Sequence, residues 1–229
     1  MMSLDPRFLV ALGSFMSLVM AAVLFSMWRS FPRSVAGLAE WAAAPLAWCL
    51  AAALFVGRER LPELWSVILA STLLLGGAML FYLGSRRHLG AGPPWPLAVW
   101  AGLLAACAAV LAWFTYGAPS YAARLGLVAL VMSALVLAHI VLLLGQERRS
   151  FALRFMLLVL GLQLLVWGAR LVSVLLGHAG ERLFDATLTQ SLFVGSFAVL
   201  GPLLTIACVL MACDKLQLDH EQTDRKSVV

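Results

Sequence analysis

Leu125–Leu144 reads LGLVALVMSALVLAHIVLLL, twenty residues without one Asp, Glu, Lys or Arg. About twenty apolar residues in a helix cross a hydrocarbon core roughly 30 Å thick. In lipid such a run has to be helical, because no water is present to bond a free backbone N–H or C=O. Six more apolar runs surround it: Phe8–Trp28, Val35–Val56, Leu64–Leu83, Leu97–Phe114, Phe155–Leu176 and Leu192–Ala212. The chain as a whole has the same character, with 63% hydrophobic and 12% charged residues over 229 positions, where a soluble domain carries roughly 25% charged. One soluble core cannot hide that much apolar surface; a bilayer solvates it. The expected fold is all-α: a polytopic membrane protein, a seven-transmembrane-helix bundle over residues 1–212, with residues 213–229 as a cytoplasmic tail. The first run is too long and too bulky at its end for a cleaved signal peptide, and no connection has room for a soluble domain.

Orientation follows from the basic residues. Arg7, Arg58, Arg60, Arg124 and Arg182 fall on one side of the spans. Ten fall on the other: Arg29, Arg33, Arg86, Arg87, Arg148, Arg149, Arg154, Lys215, Arg225 and Lys226. The richer side stays in the cytoplasm, which gives an N-out/C-in topology. The net charge of +5 is therefore a topology signal, and no nucleic-acid partner is expected; the partner is the lipid bilayer. Trp28, Trp41, Trp95 and Trp100 fall near the inner boundary, and Trp65, Trp113, Phe114 and Tyr116 near the outer one, as interfacial belts. Trp48 and Trp167 lie deeper, where packing or a pocket explains them. Pro45 and Pro202 each remove a backbone donor and are expected to bend their helices.

Polar groups inside a span are expensive and mark either packing devices or sites. Glu40 stands near the start of the second span and is expected to pair with Arg33 or Arg29. His139 is the one histidine within a span, and His88, His178 and His220 fall in loops or the tail. Cys49, Cys107, Cys208 and Cys213 are scattered through apolar stretches. That donor set closes no zinc, haem or iron–sulfur site, so no cofactor or metal is expected, and His139 reads as a packing histidine. On the sixth span Gln163, Trp167 and Arg170 are spaced by four and three and share one face. An arginine at that depth needs a counter-charge or a wet cavity; Glu63, Glu181 and Asp185 are the acidic residues near its end of the bundle. Either an internal salt bridge fixes the helices, or Arg170 faces a pocket with Trp167 as its wall. No Walker loop, GxGxxG or HExxH is present, and Gly195–Ser196 reads as close helix packing, so no catalytic residue is assigned.

Several short patterns run in a familiar order: Leu4-Asp5-Pro6-Arg7, Met27-Trp28-Arg29, Leu38-Ala39-Glu40-Trp41, Arg58-Glu59-Arg60-Leu61-Pro62-Glu63-Leu64-Trp65 and Gly84-Ser85-Arg86-Arg87, then the exit Met211-Ala212-Cys213-Asp214-Lys215-Leu216. Together they resemble the N-terminal membrane region of bacterial GGDEF-domain proteins, the diguanylate cyclases, which implies a bacterial inner membrane and makes residues 213–229 the start of a signalling helix. The resemblance implies a membrane sensor that detects a small ligand or a membrane state and regulates cyclic di-GMP synthesis, working as a homodimer. It departs from that family at the tail: Gln217–Val229 carries no residue of a cyclase active site. The output domain is then supplied by another protein, or the chain is a stand-alone or truncated relative. The competing function is a small transporter or a membrane subunit of a complex. A transporter would place polar stripes on several spans, and the sequence shows one, on the sixth.

The topology is open to direct test. A reporter active only in the periplasm is expected to be silent when fused after Leu218 and active when inserted in the Thr115–Arg124 connection. The reverse pattern would invert every assignment of inner and outer ends.

Overall fold

A computed structural model describes residues 6–32, 34–92, 95–147, 150–177 and 188–227. Its helices are α1 (Pro6–Ser30), α2 (Leu38–Val56), α3 (Ala70–His88), α4 (Leu97–Ala112), α5 (Tyr121–Leu144), α6 (Phe151–Leu175) and α7 (Leu188–Ser227). A π-helical turn, Leu64–Leu69, leads into α3, and another, Trp113–Gly117, closes α4. The described residues contain no strand, and seven helices are long and apolar enough to cross a membrane. The chain is thus an all-α, seven-helix protein of membrane-spanning character.

The helices overrun the apolar stretches because capping chemistry, rather than hydropathy, sets where a helix begins. Ser120 accepts from the Ala123 amide at 3.2 Å, starting α5 four residues before Leu125, and Ser150 accepts from that of Leu153 at 3.3 Å, starting α6 four residues before Phe155. Arg124 and Arg154, read from sequence as loop residues, therefore sit in first turns. At the other end α3 runs on through Arg86, Arg87 and His88, so His88 is helical rather than in a loop. Conversely α2 starts later than Val35, because Gly37 takes a left-handed φ of 89° at its N-cap, a conformation glycine adopts without a side-chain penalty.

Neighbour relations close a ring: α1 packs on α2, α2 on α3, α3 on α5, α5 on α6, α6 on α7, and α7 back on α1. Helix α4 stands outside, against α3 and α5, which leaves Leu97, Val99, Leu103 and Val110 exposed, as lipid-facing residues are.

The tightest seam is between α2 and α3. Two tryptophans one heptad apart, Trp41 and Trp48, lie on two glycines one heptad apart, Gly84 and Gly77. A Cβ on Gly84 would come 2.5 Å from Cδ1 of Trp41, and one on Gly77 would collide with Trp48 Cδ1 and Nε1. Each indole N–H then reaches a carbonyl three residues before its glycine: Trp41 Nε1 donates to Phe81 O at 3.2 Å, and Trp48 Nε1 to Leu74 O at 3.0 Å. Trp41 also lies 3.2 Å from Ser85 Oγ, and the Phe81 ring packs on Trp48 at 4.9 Å. In lipid, helices are held by close approach and such bonds, since burying apolar surface gains little there. Gly37 repeats the theme at the end of the seam, where any Cβ would strike the Gly84 carbonyl.

Trp41 is accordingly not an interfacial belt residue: it is fully buried, and Trp100 is nearly so. Trp28, Trp65, Trp95, Trp113 and Tyr116 remain exposed as a belt requires.

Filling either glycine should separate the seam. Gly77→Ala is expected to cost about 1–3 kcal/mol, the usual penalty of overpacking, read as a lower melting temperature of the purified protein. Gly161→Ala, where an added Cβ meets nothing within 4 Å, should melt like the parent. Equal melting of the two variants would show that the seam tolerates separation.

Candidate ligand-binding site

The ring encloses a cavity of about 180 Å³ at the end where α1, α3, α5 and α7 begin. All six ring helices or their end turns contribute walls, and α4 contributes none. Trp48, Leu74, Val128, Trp167 and Ala198 line it at the deepest register, and Arg58, Tyr121 and Arg124 at the opposite end. From Trp48 to Arg58 is ten residues of α2 and its C-terminal turn, roughly 15 Å of helix rise. The walls are apolar apart from these end groups and the hydroxyls of Ser14, Ser17 and Ser71. Gly13 lets α1 approach α7 here, since a Cβ on it would stand 3.3 Å from Ala198 Cα.

Trp167 forms one wall as part of a three-ring cluster. It meets Phe193 edge-on at 5.3 Å and Phe197 at 5.1 Å, and those two rings meet each other at 5.2 Å. Arg170 is only 5% exposed and does not line the cavity. Its guanidinium lies 5.0 Å from the centre of the Phe193 ring, a cation–π contact that a desolvated setting strengthens. Arg170 thus braces the aromatic wall from behind. Gln163 is buried one turn further along α6, beside Trp167, Ser196 and Phe197. Glu63 is exposed next to the π-helical turn before α3, where its charge acts on Arg124. Asp185 and Glu181 lie outside the described residues.

The cations that do face the cavity, Arg58 and Arg124, were treated in the sequence as loop charges. Both are half-buried, and each acts electrostatically on the other. Arg124 also donates to Thr115 Oγ1 at 3.3 Å. Their spacing held the missed signal: Arg58 follows Phe55 by three and Arg124 precedes Val128 by four, so each shares a helical face with an inward apolar residue.

The other polar residues lie toward the opposite end. Glu40 pairs with Arg87 of α3, a partner that its sequence neighbourhood, with Arg29 and Arg33, did not suggest. The reason is the extra turn of α3, which carries Arg87 past the Gly37–Gly84 contact to the start of α2; Arg33 lies outside the described residues. His88 stacks 4.9 Å from Trp41, with Nδ1 3.2 Å from Ala36 O, and it feels the charges of Asp214 and Lys215 on α7. His139 is buried edge-on to Tyr82 at 5.9 Å, and its Nε2 has no hydrogen-bond partner among the described residues. Aromatic packing rather than a hydrogen bond at Nε2 accounts for its place. Among the described residues no group of three or more His, Cys, Asp or Glu is arranged to hold a metal ion.

Compared with protein-family models, curated proteins and solved structures, the chain matches none of them. The site therefore has to be interpreted from its own geometry.

Arg170→Ala removes the cation–π brace behind Phe193 and should lower stability by about 1–2 kcal/mol, the range for a desolvated cation–π contact. Arg170→Lys should recover only part of that loss, because an ammonium lacks the planar face that stacks on a ring. Chemical denaturation in detergent measures both. Melting of Arg170→Ala indistinguishable from the parent would remove Arg170 from the supporting structure of the wall.

Proposed function

We propose that this chain is a sensor of the bacterial inner membrane, oriented N-out/C-in, that takes a small ligand into the ring cavity and passes its occupancy to the cytoplasm along α7. One observation carries this reading. Helix α7 lines the cavity with Phe193, Val194, Phe197 and Ala198, then continues unbroken to Ser227. Its forty residues span roughly 60 Å, about twice a hydrocarbon core. The same element thus touches the ligand space and leaves the bilayer.

The path between passes a proline, Pro202. Pro202 cannot donate to the carbonyl of Ala198, a cavity-lining residue, and a Cβ on neighbouring Gly201 would stand 3.6 Å from the ring of Trp48. Trp48 is itself a wall of the cavity and a member of the α2–α3 seam, so a ligand that shifts Trp48 bears directly on α7 next to Pro202. Further along, α7 passes His88 at the end of that seam, near Asp214 and Lys215. A transporter is less well supported: beyond Trp48 and Trp167 the interior is filled by Phe81, Met132, Met156, Leu160 and Leu204, so the cavity does not continue through the ring to the end where α2 and α6 begin. The resemblance of the sequence to the membrane region of diguanylate cyclases supplies the output: a dimeric module regulating cyclic di-GMP synthesis through a cytoplasmic domain of the same or another chain.

The sensor reading is tested by occupying the cavity genetically. Ala52→Phe fills it from α2, whereas Leu137→Phe adds the same ring on an exposed face of α5. With spin labels at positions 144 and 217 of a cysteine-replaced full chain in lipid discs, Ala52→Phe should shift the label-to-label distance and Leu137→Phe should not. An unchanged distance in both variants would disconnect the cavity from α7.

A further inference from the structure

The sensor reading leaves the ligand unspecified, and the two ends of the cavity constrain it, provided that cavity is the binding site. We infer that it takes a small single-chain amphiphilic anion: a carboxylate or phosphate head held between Arg58 and Arg124, with an apolar body reaching toward Trp48 and Trp167.

Two guanidinium groups facing one space repel each other. Both are half-buried, while Glu59, Arg60 and Glu63 on the same connection are exposed. Glu63 offsets part of the charge at Arg124, which leaves the three groups Arg58, Arg124 and Glu63 with one formal positive charge beside an apolar hollow. Guanidinium presents a planar fork of donors that fits carboxylate and phosphate oxygens in pairs. One fork is partly engaged by Thr115, and an anionic head between the two side chains, which line the same cavity, relieves the repulsion. Below them the walls are aliphatic and aromatic, with three serines. Ser14 already bonds to the Val10 carbonyl at 2.8 Å, so a wholly polar ligand would lose water along most of its length without replacement bonds.

Size narrows the class. An apolar cavity of roughly 150 Å³ accommodates a single benzene ring, so about 180 Å³ suits one ring or a short acyl chain. A two-chain phospholipid does not fit, although its anionic headgroup shares the chemistry of a free amphiphile.

The full chain in neutral phosphatidylcholine discs, titrated with octanoate or with octanol, separates these cases by calorimetry. Octanoate is expected to bind at least about tenfold more tightly than octanol, and Arg58→Gln or Arg124→Gln to remove that preference by about tenfold or more, with octanol binding changed little. Two results overturn the inference. One is equal, arginine-independent binding of both probes. The other is failure of octanoate to bind in neutral discs while discs containing phosphatidylglycerol raise the melting temperature in an Arg58- and Arg124-dependent way, which would assign the arginines to a lipid headgroup. The distance between labels at 144 and 217 is recorded in the same titrations. Arginine-dependent octanoate binding with no change in that distance upholds the ligand class and refutes the sensor reading. A shift in that distance by octanol and octanoate alike upholds the sensor reading and refutes the ligand class.

Discussion

Two indole rings lying on two glycines hold α2 and α3 closer than any other side chains would permit. In lipid this is where binding energy between helices can come from, because the tails outside are as apolar as the residues inside. The seam fixes more than one pair of helices. It sets the depth of Trp48, and thereby the floor of the cavity and the surface that Gly201 of α7 approaches. It brings the last turn of α3 over the first turn of α2, where Glu40 finds Arg87 and His88 lies on Trp41. Both ends of the bundle are therefore indexed to a single heptad register.

The number of helices, their type and their approximate limits were readable from apolar run length, since a bilayer demands long uncharged helices and leaves little room for alternatives. Their true ends were not, because Ser120, Ser150 and Gly37 act through caps and a left-handed turn that hydropathy does not report. The ring order was also hidden. Nothing in the apolar pattern of Leu97–Ala112 says that this helix stands outside while its neighbours close on each other.

The site was half legible. The four-and-three spacing of Gln163, Trp167 and Arg170 pointed to one face of α6, and Trp167 does wall the cavity. Depth in the membrane drew attention to Arg170, yet the arginines that line the space lie at its edge, where a positive charge is inexpensive and so attracts no notice. Arg58 and Arg124 are ordinary as topology signals; only the meeting of the turn after α2 with the start of α5, from distant parts of the chain, makes them a pair. The partner of Glu40 was hidden for a related reason: Arg87 is forty-seven residues away in the chain, and nearness in sequence drew attention to Arg29 and Arg33.

The length of α7 has a mechanical corollary. From Pro202 to Ser227 is twenty-five residues, a rigid arm of about 38 Å. A change of only 5° in the bend at Pro202 swings the far tip through about 3 Å, comparable to the helix shifts of 1–2 Å or more that switch packed interfaces. The cavity wall itself needs to move by only a fraction of an ångström to produce that angle, because Ala198 sits one turn from the pivot. In such an arrangement gain is a matter of geometry: every turn of helix removed from the arm would reduce the excursion at its tip by about 0.5 Å, without any change in how the cavity is filled.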